Sequence, residues 1–430
     1  MLGQNGRRVA VIAGCRTPFV KSGTVFKDLS AVELAKLATR ELLIRTEIPP
    51  AKVDQVVFGQ VIPSVLAPNV AREVSLLPQF PRNVPAFSLN RACASSGQAV
   101  AEAFDQIALG QADMVVAGGT ESLSDIPILH SRRFAELLVQ ASRARTLGKR
   151  LATLARIRPR DLVPVTPAIA EPSTGETMGQ SAEKMAKENG ISRHAQDDYA
   201  LRSHRLAARG TADGRLTAEI APVFVPPAYE PVTADNGIRA DSTLEQLAAL
   251  RPAFDRRYGS VTAGNASPLT DGASAVLVMS GEAARAAGFE PLAYVRSYAV
   301  AAVDPGAQLL MGPAYAIPRA LERARIAWKD LGLVEMHEAF ASQLLSNIQA
   351  IESDMWAREH LGRDRRIGEV NWEVLNVMGG SIAIGHPFGA TGGRLITTLG
   401  NEMRRRDVQF GLVSVCAQGG MGFAMVLERM

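Results

Sequence analysis

The sequence predicts an α/β fold built from two similar halves, and three observations carry that expectation. Short apolar runs end in glycine, helical patterns lie between them, and the same order returns late in the chain. Val9-Ala10-Val11-Ile12-Ala13, Val56-Val57-Phe58-Gly59 and Met114-Val115-Val116-Ala117-Gly118-Gly119 read as buried strands, since continuous apolar runs of this length suit a sheet covered on both faces. Between the first two, Leu29 to Arg45 places Val32, Leu34, Ala35, Leu37, Ala38, Leu42 and Leu43 at helical spacing.

The second half repeats the order. Pro313 to Arg325 is a helical pattern, and Leu331 to Phe340 follows it as Val53 to Val61 follows the first helix. A glycine-rich segment opens a helix over Thr391 to Met403, as Cys93 opens one that runs to Leu109, and Phe410 to Cys416 parallels Met114 to Gly119. The expected halves are residues 1–120 with 258–280, and residues 281–430. Residues 121–257 form an insertion between them.

Within the insertion, the stretch 131–160 carries Arg132, Arg133, Arg143, Arg145, Lys149, Arg150, Arg156, Arg158 and Arg160, opposed only by Glu136 and by Asp161 just beyond. Phe134, Leu137, Leu138, Ala141, Ala144, Leu147, Leu151 and Leu154 recur every three or four positions, so the stretch reads as a basic amphipathic helical segment. Two uses fit it equally. It lies on an anionic membrane surface, where each basic side chain contributes about 1 kcal/mol, or it packs on its own protein or a partner subunit.

The 430 residues exceed one ordinary core, and 47% hydrophobic with 21% charged residues is the composition of a soluble globular protein. The net charge of +4 is mild and concentrated in the insertion, and no nucleic-acid partner is expected. Cys15, Cys93 and Cys416 are too few and too scattered for a disulfide framework or a paired-cysteine zinc site, so no metal is expected and the thiols read as free. Neither a signal-peptide core nor a bilayer-spanning run is visible, which points to the cytoplasm, or to an organelle matrix after removal of a transit peptide.

Four segments carry chemistry. Cys93, in Asn90-Arg91-Ala92-Cys93-Ala94-Ser95-Ser96-Gly97, falls where a strand-like run meets a helix, and a helix N-terminus favours a thiolate. Gly379-Gly380-Ser381-Ile382-Ala383-Ile384-Gly385-His386-Pro387-Phe388-Gly389 holds one ionisable residue, His386, in a backbone shaped for close approach. Cys416-Ala417-Gln418-Gly419-Gly420 places a second thiol at a glycine turn, and His337-Glu338-Ala339-Phe340 closes a strand-like run. Taken singly, each has an ordinary alternative: a buried structural cysteine, or a histidine bonded to backbone.

In this order and across the whole chain, the four segments resemble the thiolases, whose nucleophilic cysteine, Asn/His-Glu-Ala-Phe, Gly-His-Pro and Cys-x-x-Gly-Gly motifs match Cys93, His337 to Phe340, Gly385 to Pro387 and Cys416 to Gly420. The resemblance implies a five-layered αβαβα arrangement with mixed sheets, a homodimeric core, coenzyme A as co-substrate and no permanently bound cofactor. The histidine at 337, where the family more often has asparagine, and the long basic insertion resemble the thiolase subunit of fatty-acid oxidation multienzyme complexes. That likeness implies a partner subunit with enoyl-CoA hydratase and 3-hydroxyacyl-CoA dehydrogenase activities. It also implies CoA contacts: Ser267 near the pantetheine, Arg239 near the nucleotide phosphates and Met178 in the pocket wall. Thr177 stands where acetoacetyl-CoA enzymes have histidine, which favours longer 3-ketoacyl-CoA substrates.

The implied reaction is ping-pong acyl transfer in β-oxidation. His386 takes the proton of Cys93, Cys416 serves as second acid and base, His337 holds a water at the enolate, and the backbone N–H groups of Cys93 and Gln418 bind the oxyanion. Three other readings share the fold: an acetoacetyl-CoA thiolase, which Thr177 disfavours, a ketoacyl-synthase-like condensing enzyme, which would pair its cysteine with two histidines, and a catalytically silent lipid-transfer or scaffold protein.

Overall fold

The computed structural model describes residues 6–165 and 169–430. They form two compact units, Met1–Asp125 with Glu171–Met430, and Ile126–Ala170.

In the larger unit the first half contributes β1 (Val9–Arg16), β2 (Val20–Lys21), β3 (Gln55–Gly59), β4 (Ala86–Leu89) and β5 (Met114–Glu121). A two-stranded ribbon of β6 (Val223–Val225) and β7 (Glu230–Val232) follows, then β8 (Thr270–Ser280), β9 (Ala293–Ala302), β10 (Leu333–Met336), β11 (Phe410–Ala417) and β12 (Met421–Glu428). The main sheet runs β10-β11-β12-β9-β1-β8-β5-β3-β4, with β2 on β8. Among the described residues, its halves pair only where Ala10 and Val11 of β1 meet Tyr294 and Ala293 of β9.

The halves share one topology. β3 lies parallel to β4 and β5, and β8 runs antiparallel between β5 and β1. In the second half β10 is parallel to β11, β12 runs antiparallel between β11 and β9, and Val334 bridges Leu375 where β4 stands in the first. The helix Ala31–Thr46 follows β1 as Gly312–Ala324 follows β9, and Ser95–Ala108 precedes β5 as Thr391–Arg406 precedes β11.

Side-chain alternation along these strands builds the layers. Val57, Val115, Ala117, Val276 and Val278 face inward with Val295, Val413, Val415, Phe423 and Met425, and the helices Ser95–Ala108 and Thr391–Arg406 fill the space between. The other face of the first half, through Val56, Phe58, Val116, Ala275 and Leu277, packs on Ala31–Thr46. That of the second, through Val334, Met336, Leu412, Ala424 and Val426, packs on Gly312–Ala324 and Ala341–Ile351. The result is the expected αβαβα stack.

What this stack does for the site is set by its central layer. The N-termini of the two inner helices meet backbone to backbone, since a Cβ on Gly392 would lie 2.5 Å from the Gly97 nitrogen. The loops leading into these helices, which carry Cys93 and His386, are brought together by that approach.

The smaller unit contains the basic stretch, resolved into two helices, Arg132–Arg143 and Leu147–Leu154, capped by Ser131 and Thr146. Leu137 and Ala141 are buried in it, while Leu138, Val139, Leu147 and Leu151 are exposed. Among the described residues, no helix is long and apolar enough to cross a membrane.

Candidate active site

Cys93 sits on a sharp turn between β4 and the helix Ser95–Ala108. Ala92 before it adopts φ +45°, a left-handed conformation that costs a non-glycine residue about 1–2 kcal/mol. The turn is held by its own polar side chains: Asn90 Oδ1 accepts from Ala92 N at 2.9 Å, and Ser95 Oγ accepts from Arg91 N at 2.9 Å while donating to Ala92 O at 2.6 Å. The helix starts two residues later than Cys93, which leaves the half-buried thiol just outside its first turn.

His386 faces it. Nε2 lies 3.2 Å from Cys93 Sγ, and Nδ1 lies 2.6 Å from Thr391 Oγ1. The loop is anchored on its near side by His386 N donating to Pro268 O at 3.3 Å.

The protonation of this pair departs from the sequence expectation. Position near a helix N-terminus predicts a thiol shifted down, yet Cys93 is pushed up to about 12 by burial and by the Glu121 carboxylate. The N–H groups of Gln418 and of Cys93 itself point at the sulfur and oppose that shift without cancelling it. Burial, with Arg394 nearby, brings His386 down to about 3. The resting pair is therefore a neutral thiol and a neutral imidazole rather than an ion pair, because desolvation outweighs the partial charges of one helix end.

His337 completes a cluster. Its ring centroid is 4.1 Å from that of His386, and single donor atoms of Cys93, His337 and His386 all lie within 4.8 Å of one another. His337 Nδ1 is 3.0 Å from Ser381 Oγ, which accepts from Arg394 Nη2 at 3.1 Å, and Arg394 lies 3.6 Å from Glu335. An arginine only donates, so the Ser381 hydrogen is left for His337 Nδ1 and the ring presents Nε2–H to the site. That Nε2 is buried with no partner among the described residues. The neighbouring Glu338 fastens the facing loop, accepting from Tyr199 Oη and Ser203 Oγ at 2.7 Å, Asn376 Nδ2 at 2.8 Å and Ile382 N at 3.2 Å.

Cys416 ends β11, buried, with its pKa raised well above a free thiol by burial and then by Cys93, so the two sulfurs feel each other. Around it pack Val261, Ala339, Met178, Ala266 and Phe340. The glycine turn that follows is tied down by Gly419 N donating to Glu171 Oε2 at 3.0 Å and by Val303 N donating to Gly420 O at 2.8 Å.

Of the residues expected to meet CoA, two adjoin this centre and one lies outside it. Ser267 is half-buried between the two histidine loops: its N donates to Ala339 O at 3.0 Å, and its neighbours Ala266 and Leu269 bridge Phe340 and His386. Met178 begins the helix Met178–Glu188 behind a Thr177 capping box and joins the Cys416 cluster. Arg239 is exposed, and its charge reaches Lys21 and His204, forming a cationic patch at the surface.

Sequence reasoning passed over Glu121, Ser381, Thr391 and Arg394. Glu121 accepts from Val61 N and Ile62 N at 3.0 Å and from Gly389 N at 3.1 Å, and its own pKa is raised to about 7 by burial. Their partners lie 5 to 268 positions away, and only the signal of a charged residue in an apolar strand or glycine-rich helix start marks Glu121 and Arg394.

Residues 9–282 match the family described as thiolase, N-terminal domain, and residues 289–429 match thiolase, C-terminal domain. The chain is 51% identical over 425 residues to a 3-ketoacyl-CoA thiolase of Cronobacter sakazakii, covering 99% of this chain and 98% of that one. It is 50% identical over the same length and shares to a 3-ketoacyl-CoA thiolase of Yersinia enterocolitica. Among solved structures it resembles the Bacillus anthracis acetyl-CoA acetyltransferase, with TM-score 0.84, 34% identity and 99% of each chain covered. It also resembles human mitochondrial 3-ketoacyl-CoA thiolase in complex with CoA, with TM-score 0.82, 32% identity, and 99% of this chain and 98% of that one covered.

Proposed function

This chain belongs to the thiolase family, and from that premise we propose how its own residues carry the reaction. It is an acyltransferase that cleaves 3-ketoacyl-CoA with free CoA, giving acetyl-CoA and a shortened acyl-CoA through an acyl-cysteine. The observation that carries the reading is the 3.2 Å approach of His386 Nε2 to Cys93 Sγ.

With Nδ1–H donated to Thr391, His386 keeps a lone pair on Nε2 and takes the Cys93 proton as the thiolate attacks the 3-keto carbon. The N–H groups of Cys93 and Gln418, already directed at the sulfur, bind the oxyanion that forms beside it. The C2–C3 bond breaks, and the enolate of acetyl-CoA takes its proton from Cys416, while the His386 imidazolium and a water on His337 Nε2–H donate to the enolate oxygen.

Burial helps the second half-reaction. A thiol as weakly acidic as Cys416 is a correspondingly strong base once ionised, and the CoA thiol, with an ordinary pKa of about 8.5, gives it a proton. The CoA thiolate then attacks acyl-Cys93, and the departing thiolate recovers its proton from His386. Two histidines, His386 and His337, stand by Cys93 as in a ketoacyl synthase, and what favours thiolysis is the further thiol of Cys416, which feels Cys93 and serves as the second proton carrier.

In this reading Ser267 meets the pantetheine, Met178 walls the pocket and the Arg239 and Lys21 patch meets the nucleotide phosphates; the position of Ser267 between the two histidine loops, of Met178 in the Cys416 cluster and the pairing of the two cations support it. The reading extends to medium and long acyl chains, a cytoplasmic homodimeric core and a complex with a hydratase and dehydrogenase subunit. Exposed Leu138, Val139, Leu147 and Leu151, set among arginines on the two helices of the smaller unit, support peripheral contact with an anionic membrane. Thiolysis rates for 3-ketoacyl-CoAs of increasing length, with and without anionic vesicles, test this. Rising kcat/KM with chain length and stimulation by vesicles are expected, and preference for acetoacetyl-CoA regardless of vesicles would refute it.

A further inference from the structure

We infer that the thiol centre also binds a divalent transition metal of the zinc class through Cys93 Sγ and the Nε2 atoms of His337 and His386, and that the bound metal blocks acylation. Zinc sites with one sulfur and two imidazole nitrogens use bonds of about 2.3 Å and 2.0–2.1 Å, which in a tetrahedron separate sulfur from nitrogen by roughly 3.5 Å. Sγ and Nε2 of His386 are 3.2 Å apart, and donor atoms of all three residues lie within 4.8 Å. Small side-chain rotations close such a tripod.

Three further features fit a ligand set rather than a chance cluster. His337 Nε2 is a buried nitrogen with no partner among the described residues, on a ring that has a nitrogen within 4.8 Å of the other two donors. Each imidazole has its far nitrogen fixed by a hydroxyl, His386 Nδ1 by Thr391 at 2.6 Å and His337 Nδ1 by Ser381 at 3.0 Å. Outer hydrogen bonds of this kind hold metal-ligating histidines in register. His386, donating Nδ1–H to Thr391, already has its Nε2 lone pair free, and metal binding moves the His337 hydrogen from Nε2 to Nδ1, where Ser381 Oγ accepts it with its second lone pair beside the bond from Arg394. Finally, a carboxylate, that of Glu121, lies close enough for its charge to act on the Cys93 sulfur, and a negative charge there favours a dication.

Binding breaks the Cys93 S–H bond, forms a metal–sulfur bond and releases one proton to the buffer, with no change of oxidation state. The fourth position stays open to water. The residue at 337 decides the site, because an amide there would replace an imidazole by a poor zinc ligand. The cysteine spacings point away from zinc, and the ligands come instead from three loops that only the fold unites.

Cobalt(II) added to the metal-free full-length enzyme tests this without reference to activity. We expect one cobalt per chain with the intense ligand-field bands of tetrahedral coordination and a sulfur-to-cobalt charge-transfer band, and one proton released per metal. Prior alkylation of Cys93 in the unsubstituted enzyme abolishes both signals. His337→Asn weakens zinc binding at least tenfold in competition with a chromophoric chelator. Absence of stoichiometric binding, or binding that survives Cys93 alkylation or is unchanged in His337→Asn, overturns the inference. Thiolysis by the chelator-treated enzyme is read separately, so failure of the metal site leaves the proposed reaction standing.

Discussion

Replacing Gly119 by alanine tests how the fold holds the base against the nucleophile. Gly119 lies in β5, and a Cβ there would stand 2.0 Å from the Gly389 carbonyl oxygen and 2.9 Å from Ser96 Cβ. Real Cβ atoms essentially never come within 3.0 Å of another atom, so the backbone at Gly389 must retreat by 3.0 − 2.0, or 1.0 Å, at least. That backbone belongs to the loop carrying His386, whose Nε2 is 3.2 Å from Cys93 Sγ. It cannot shift freely, because Gly389 N is also bonded to Glu121. Overpacking of this kind costs roughly 1–3 kcal/mol of stability, which a large core tolerates. A misplacement of about 1 Å in a reacting group costs about 100-fold in rate. Steady-state thiolysis should therefore fall about 100-fold in Gly119→Ala while urea unfolding moves only modestly. Gly281→Ala is the control, since its Cβ meets nothing nearer than 3.5 Å. Full kcat in Gly119→Ala, or an equal loss in Gly281→Ala, would refute the argument.

Three other outcomes follow from the site. Cys416→Ala still acylates slowly but loses thiolysis roughly a thousandfold, which stopped-flow release of acetyl-CoA and steady-state turnover separate; equal loss of both steps would remove Cys416 from the second half-reaction. Ser381→Ala lowers kcat about tenfold by freeing the His337 tautomer, yet changes it less than twofold in a His337→Asn background; equal effects in both backgrounds would make Ser381 merely structural. His386 has a folded pKa of about 3 against 6.5 unfolded, so the unfolded chain binds the extra proton and stability is lost as pH falls below 6.5. At pH 5 the cost is about 2 kcal/mol, and His386→Gln should lose that much less than the parent between pH 7.5 and pH 5 in urea titrations; parallel losses would show the histidine to be solvated.

Much of this was legible because the signals are local. Val56 to Gly59 and Met114 to Gly119 read as strands since every residue there is apolar or glycine, and the return of the order after Pro313 is a return of the same local patterns. The paired chemistry of Cys93, His386 and Cys416 came from motif order, not from any contact visible in one dimension. What stayed hidden depends on distance in the fold. Glu121 looked like the end of a strand, yet it joins the Val61, Ile62 and Gly389 nitrogens. Arg394 looked like one more residue of a helix start and proves fully buried against Ser381. The direction of the Cys93 shift was misjudged for the same reason: a helix N-terminus is a sequence signal, whereas burial and the Glu121 charge exist only after folding. The break at Ala144 to Thr146, which divides the basic stretch into two helices, carries no glycine or proline to announce it.

The account turns on which sulfur becomes acylated. Mixing the enzyme with one equivalent of 3-ketoacyl-CoA in the absence of free CoA, quenching in acid and mapping the adduct by peptide mass spectrometry answers this directly. A single acyl group on the peptide bearing Cys93, chased off by added CoA, is the predicted result. An adduct on Cys15 or Cys416, or turnover with no acyl-enzyme at all, would contradict it.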